Sequence, residues 1–105
     1  PKPYHNFYHV LGFAYQDMGE FEKAIESYTK CLRLNPDNVF TYIGLVIVYG
    51  HMENEEKANQ AKDELLRLNP NFTVNGFLET MPYKFESSRS FLRDGFQKAG
   101  LEIDG

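Results

Sequence analysis

Up to Pro70 the apolar residues recur at the i, i+3, i+4, i+7 spacing of helices buried on one side. A first helix is predicted from His5 to Met18, with Tyr8, Leu11, Gly12 and Tyr15 inward and a small residue at position 12 for close helix approach. Gly19 ends it, since glycine takes the left-handed conformation without strain. A second helix follows over Phe21–Leu34, with Phe21, Ala24, Ile25, Tyr28, Cys31 and Leu32 inward and a Glu26–Lys30 pair outside. Pro36 stops it. Asp37 or Asn38 then caps a third helix running to Met52, apolar nearly all round and so covered on both sides. Asn54 caps a fourth over Glu55–Leu68, which buries Ala58, Ala61 and Leu65 and carries an Asp63–Arg67 pair. Lys62 is expected to send its ammonium to water over an apolar stem. Beyond Pro70 the pattern predicts a short helix over Phe72–Met81, weakened by Gly76. A last helix is predicted over Ser87–Ala99, capped by Ser87 or Ser88, with Phe91, Leu92, Phe96 and Ala99 inward and a loose tail after Leu101. Gly95 inside that helix points to close packing.

The series Tyr8, Leu11, Gly12, Tyr15, Ala24, Tyr28, Cys31, Pro36 returns 34 positions later as Tyr42, Leu45, Val46, Tyr49, Ala58, Lys62, Leu65, Pro70. Leu32-Arg33-Leu34-Asn35-Pro36 likewise returns as Leu66-Arg67-Leu68-Asn69-Pro70. A period of this length and pattern resembles the tetratricopeptide repeat, a helix–turn–helix unit that stacks into a solenoid. The resemblance implies an all-α fold, a short right-handed solenoid in a single domain over residues 1–105. Repeat one covers 5–38, repeat two 39–72, a divergent closing helix pair 73–101 and a tail 102–105. Asn69-Pro70, Met81-Pro82-Tyr83-Lys84 and Phe91-Leu92-Arg93-Asp94-Gly95-Phe96-Gln97-Lys98-Ala99-Gly100-Leu101 are similar to the closing segment of such arrays in bacterial class III adenylate/guanylate cyclases and winged-helix regulators. That likeness implies a host protein of this class and assigns no catalysis to these residues.

Composition narrows the function. Of 105 residues 42% are hydrophobic and 15% aromatic, ample for a core, and the formal charge is −4. An acidic chain lacks the basic stripe that nucleic acid requires. One cysteine forms no internal disulfide. No apolar run reaches membrane-spanning length, so a soluble, cytoplasmic setting is expected, with no membrane insertion. The chain opens Pro1-Lys2-Pro3 without a methionine, the expectation for a piece of a longer protein.

The signature residues hold the helices together; partner binding is expected on the concave face, which the first helix of each hairpin lines. By register that face holds Asn6, His9, Phe13, Gln16 and Asp17 in repeat one, and Phe40, Ile43, Ile47, Gly50 and His51 in repeat two. The positions at which repeat co-chaperones grip an acidic peptide hold His9, Phe13 and Gly44, which offer no fixed cation. Phe13, Phe40, Ile43 and Ile47 instead predict an apolar groove, filled by a partner's amphipathic helix or a second copy of the domain, or else covered by the short helix after Pro70 or by upstream repeats. Asn6, His9, Gln16, Asp17 and His51 form its polar rim. The function expected is a non-catalytic protein-interaction module without cofactors. Self-association through Phe7 and Val10, or a purely structural capping role, is one alternative. Metal binding by His5 and His9, four apart on one helix, is a remote one, since no third ligand is evident.

Overall fold

The computed structural model describes residues 5–80 and 86–103, with side chains from residue 7 and, in the last helix, from residue 88. Six helices follow one another there: α1 (His5–Asp17), α2 (Phe21–Leu34), α3 (Val39–His51), α4 (Glu55–Leu68), α5 (Val74–Leu78) and α6 (Glu86–Lys98). They form a short solenoid of helical hairpins, with no strand among the described residues.

Local chemistry sets the boundaries. Asn38 Oδ1 accepts from the Thr41 N–H and Asn54 Oδ1 from the Lys57 N–H, both at 3.2 Å, so α3 and α4 start where a side chain satisfies an orphan donor. Thr73 does the same for α5 through the Gly76 N–H at 3.0 Å. Gly19 (φ 78°) and Gly100 (φ 93°) end α1 and α6 in the left-handed conformation. Around each, the last carbonyls are taken by the glycine's N–H and the next one: Gly19 to Gln16 and Glu20 to Tyr15, Gly100 to Gln97 and Leu101 to Phe96. The end of α3 has the same hydrogen bonds, but Glu53 (φ 58°) stands at the left-handed position.

Several details differ from the sequence expectation. The short helix spans only Val74–Leu78: Thr73 starts it late, Asn75 and Gly76 are poor helix formers, and the Thr80 hydroxyl closes it on the Phe77 carbonyl at 2.6 Å. Ser88 lies inside α6, whose start at Glu86 and whose other expected cap, Ser87, fall at the edge of the described residues. The Met81-Pro82-Tyr83-Lys84 segment of the resemblance lies outside them. The tail is not wholly loose, since Ile103 packs against the core. Arg67 turns to Glu64 (2.9 Å) and Asp37 (3.4 Å) rather than to Asp63, and Lys30 stands 5.8 Å from the Tyr8 ring centroid rather than against Glu26. These exposed ion pairs contribute little.

The hairpins are joined through Tyr28. Its ring is fully buried between α1 and α3, and a Cβ on Gly12 or Gly44 would fall on it. Close approach at Gly12 therefore has a second half, Gly44, on the next hairpin. Cys31 sits beside it, accepting from the Thr41 hydroxyl at 2.9 Å and the Asn38 amide at 3.4 Å, which ties the start of α3 to α2. Under α5 and α6 the core continues through Leu65, Val74, Leu78, Leu92 and Phe96.

Helix α6 packs chiefly on α3, not on α5. Gly50 and Gly95 let the two backbones meet: a Cβ on Gly50 would strike the Gly95 carbonyl, and one on Gly95 would lie 2.7 Å from Ile47 Cγ2. Lys62, expected to reach water, instead donates to the Ala99 carbonyl at 2.9 Å and closes the C-terminal end of α6.

Candidate partner-binding surface

The concave face divides in two. On the α3 half, α6 lies in the groove that register assigns to a partner. Ile43 and Ile47, expected as open anchors, are 3% and 0% exposed. For Ile47 the cause is plain: Gly95 brings α6 against it, and Gly50 meets α6 one turn later; Ile43 lies beside Phe72 and Phe77. His51, expected at the rim, is held in place. Its ring stacks on Phe91 at 4.0 Å between centroids and on Phe21 at 5.8 Å, and its Nε2 lies 2.8 Å from the Phe91 carbonyl. A carbonyl only accepts, so Nε2 carries the proton.

Gln16 is likewise internal. It is wholly buried, and its Oε1 accepts the Tyr28 hydroxyl at 2.9 Å. Burial, with Asp17's charge second, pushes the Tyr28 hydroxyl far above its ordinary pKa, so it stays a donor. Gln16 Nε2 has no hydrogen-bond partner among the described residues. Asp17 remains at the surface, with burial of its inner part raising its carboxyl above the usual range. The side chains of Asn6 and His5 lie outside the described ones. No group of three metal-ligating side chains occurs among the described residues.

What stays open is aromatic. His9 of α1 stacks on Phe40 of α3 at 5.5 Å with 14° between planes. Phe13 meets His9 edge-on at 6.2 Å and Tyr28 edge-on at 5.8 Å. Phe40 is half exposed although apolar. It stands at the edge of a cavity of about 300 Å³ lined by Val39, Ile43, Asn69, Asn71, Phe72, Thr73, Gly76 and Phe77. Among the described residues no charged side chain lines that cavity. The row His9–Phe13–Phe40 and this cavity form one largely apolar surface across α1, α3 and α5, able to take apolar side chains and, beside the His9 imidazole, carrying no nucleophile or anion cradle among the described residues. Phe72 and Phe77 were legible only as apolar positions of a short helix, and nothing in their spacing places them beside Phe40.

Comparison with known proteins agrees with this architecture. Residues 5–38 match the family model of the tetratricopeptide repeat. The chain is 32% identical over 71 residues to the auxiliary subunit of the N-terminal acetyltransferase A complex of Arabidopsis thaliana, covering 68% of this chain and 8% of that protein. It is 33% identical over 66 residues to the uncharacterized protein ycf37 of Pyropia yezoensis, covering 63% of this chain and 37% of that one. It is 35% identical over 60 residues to a TPR repeat-containing protein of Methanocaldococcus jannaschii, covering 57% and 11%. The chain thus spans a small part of each relative's length. No described helix is long and apolar enough to cross a membrane. The chain carries a tetratricopeptide repeat at residues 5–38, continued by a second hairpin with the same spacing.

Proposed function

We propose that this chain is a non-catalytic protein-interaction module of a larger bacterial signalling or regulatory protein, and that it holds a partner's amphipathic helix along His9, Phe13 and Phe40. Tetratricopeptide repeats generally mediate protein–protein interaction, and one relative is by name an auxiliary subunit of a complex. The observation that carries the reading is Phe40: a large apolar ring, 50% exposed, stacked on His9 beside an uncharged cavity. Burying such a ring under a partner contributes roughly 1.5–3 kcal/mol, and aromatic side chains are enriched among the residues that dominate interfaces. Because α6 fills the rest of the groove, the partner helix lies over the α1 half and reaches toward α5. The bacterial signalling host rests on the likeness of the closing segment to cyclase and winged-helix regulator tails.

The test is quantitative capture of binding proteins from cells of the source by the wild-type chain and by Phe40→Glu and His9→Ala. Loss of the captured partner by tenfold or more in Phe40→Glu, with helical circular dichroism unchanged, supports the proposal. Equal capture by all three would remove the aromatic row from consideration.

A further inference from the structure

Helix α5 reads Val74-Asn75-Gly76-Phe77-Leu78, and of the asparagines in the chain only Asn75 precedes a glycine. That pair carries its own chemistry. Hydroxide takes the proton of the glycine's backbone N–H, and the nitrogen, with no Cβ to shield it, attacks the asparagine side-chain carbonyl carbon. A C–N bond closes a succinimide ring. The side-chain nitrogen takes a proton from water and leaves as ammonia, which restores the hydroxide. A second water opens the ring at either carbonyl. One opening gives aspartate. The other gives isoaspartate, in which the main chain runs through the former side chain.

The closed fold suppresses this reaction. The Gly76 N–H donates to the Thr73 hydroxyl oxygen at 3.0 Å, so the attacking nitrogen keeps its proton in a hydrogen bond. Asn75 and Gly76 lie in the first turn of α5, where helical backbone keeps the side-chain carbon off the line of attack. Yet α5 has five residues, too few to hold itself as a helix. It stays closed because Val74 and Leu78 are buried and the Phe77 ring meets Phe96 at 5.9 Å between centroids, while Gly76 itself is open to water. We propose that Asn75 is a site of spontaneous deamidation that the Thr73 cap guards, so that the reaction proceeds when α5 opens locally. The two products leave different surfaces. Aspartate at position 75 stands in the first turn of α5, where a negative charge is favourable. Isoaspartate lengthens the main chain between Thr73 and Gly76, so the cap does not re-form, and Phe72, Gly76 and Phe77 no longer wall the cavity beside Phe40. The modification thus sets a lifetime on that surface, whatever occupies it.

The test incubates the full chain, Thr73→Val, Thr73→Ser and Gly44→Ala in mildly alkaline buffer, beside a synthetic peptide of residues 70–80 that is too short to fold. Peptide mapping by mass spectrometry follows the amide-to-acid conversion at Asn75, and enzymatic methylation distinguishes isoaspartate from aspartate. The free peptide is expected to convert roughly tenfold faster than the full chain, or more. Thr73→Val keeps the shape of the residue without its acceptor and is expected to convert about fivefold faster than the wild type, or more, the factor of a lost helix cap. Thr73→Ser restores the wild-type rate. Gly44→Ala crowds the Tyr28 ring, away from α5, and is expected to stay within about twofold of the wild type. Equal rates in the full chain and the peptide, or an unchanged rate in Thr73→Val, would overturn the proposal. So would acceleration by Gly44→Ala as large as that by Thr73→Val, because the reaction would then wait for the whole domain to unfold.

Discussion

The ring of Tyr28 occupies the space that a side chain on Gly44 would need. This relationship joins the two hairpins, and it makes one glycine a statement about the neighbouring repeat. Gly44→Ala forces either the ring or α3 to move, and overpacking of this kind costs about 1–3 kcal/mol. In a Tyr28→Ala background the same substitution is expected to cost less than half as much. A double-mutant cycle by urea unfolding measures the coupling. Equal costs in the two backgrounds would place the ring elsewhere.

Tyr28 also gives the domain an alkaline limit. An unfolded tyrosine ionises near 10.0, whereas burial, with Asp17's charge second, keeps the folded phenol protonated well above that. The folded pKa is raised, so Tyr28's contribution is present below pH 10 and lost as pH climbs above it. The slope is about 1.4 kcal/mol per pH unit for one proton. Burial also raises the Tyr42 and Tyr49 hydroxyls, and they add to the same limb in any variant. Tyr28→Phe leaves Gln16 Oε1 without its donor and is expected to lose about 1–3 kcal/mol at neutral pH. Above pH 10 its stability should fall with one proton less dependence than the wild type. Identical slopes between pH 10 and 11.5 would contradict the buried phenol.

Glu53 holds a left-handed conformation that its counterpart Gly19 takes freely. Such a conformation costs roughly 1–2 kcal/mol for a residue with a Cβ, and glycine returns part of that as unfolded-chain entropy. Glu53→Gly is therefore expected to stabilise the domain by about 0.5–1 kcal/mol. Differential scanning calorimetry should show a midpoint about 2–6 °C higher. A lower midpoint would mean that the Glu53 side chain supplies something the backbone argument omits.

Gly95→Ala tests the seat of α6. The new methyl would lie 2.7 Å from Ile47 Cγ2 and 2.9 Å from the Ile47 carbonyl, and α6 is expected to lift from α3 at a cost of about 1–3 kcal/mol. Limited proteolysis should then cut within α6 before any cut in α1 to α4. A wild-type digestion pattern would show that the contact carries little.

The helices and their ends were readable because their signals are local. Asn38 and Asn54 are short acceptors placed one residue ahead of helical patterns, and Gly19 and Gly100 supply a backbone conformation that most residues avoid. The groove was not readable because its occupancy is tertiary. Phe91, Leu92, Phe96 and Ala99 announce an apolar stripe on α6 without saying which surface it covers. Gly95 was legible as a close-packing residue, but its partner Gly50 is identified only by the fold. Gln16 stood among polar rim positions because an amide at a helical surface position is ordinarily solvated; the Tyr28 hydroxyl 2.9 Å away lets it be buried. Lys62 was assigned to water for the same reason, and the free Ala99 carbonyl at the end of α6 is what redirects it.

The account turns on α6 lying in the concave groove of α3 while the His9–Phe40 row stays open. Nuclear Overhauser contacts in the wild-type chain test this directly. Cross-peaks between the His51 ring and the Phe91 ring, and between the Ile47 methyls and the Gly95 Hα protons, are the predicted result, with Phe40 alone among these rings broadened by a soluble paramagnetic probe. Absence of both sets of cross-peaks, together with probe broadening of the Ile47 methyls, would contradict it.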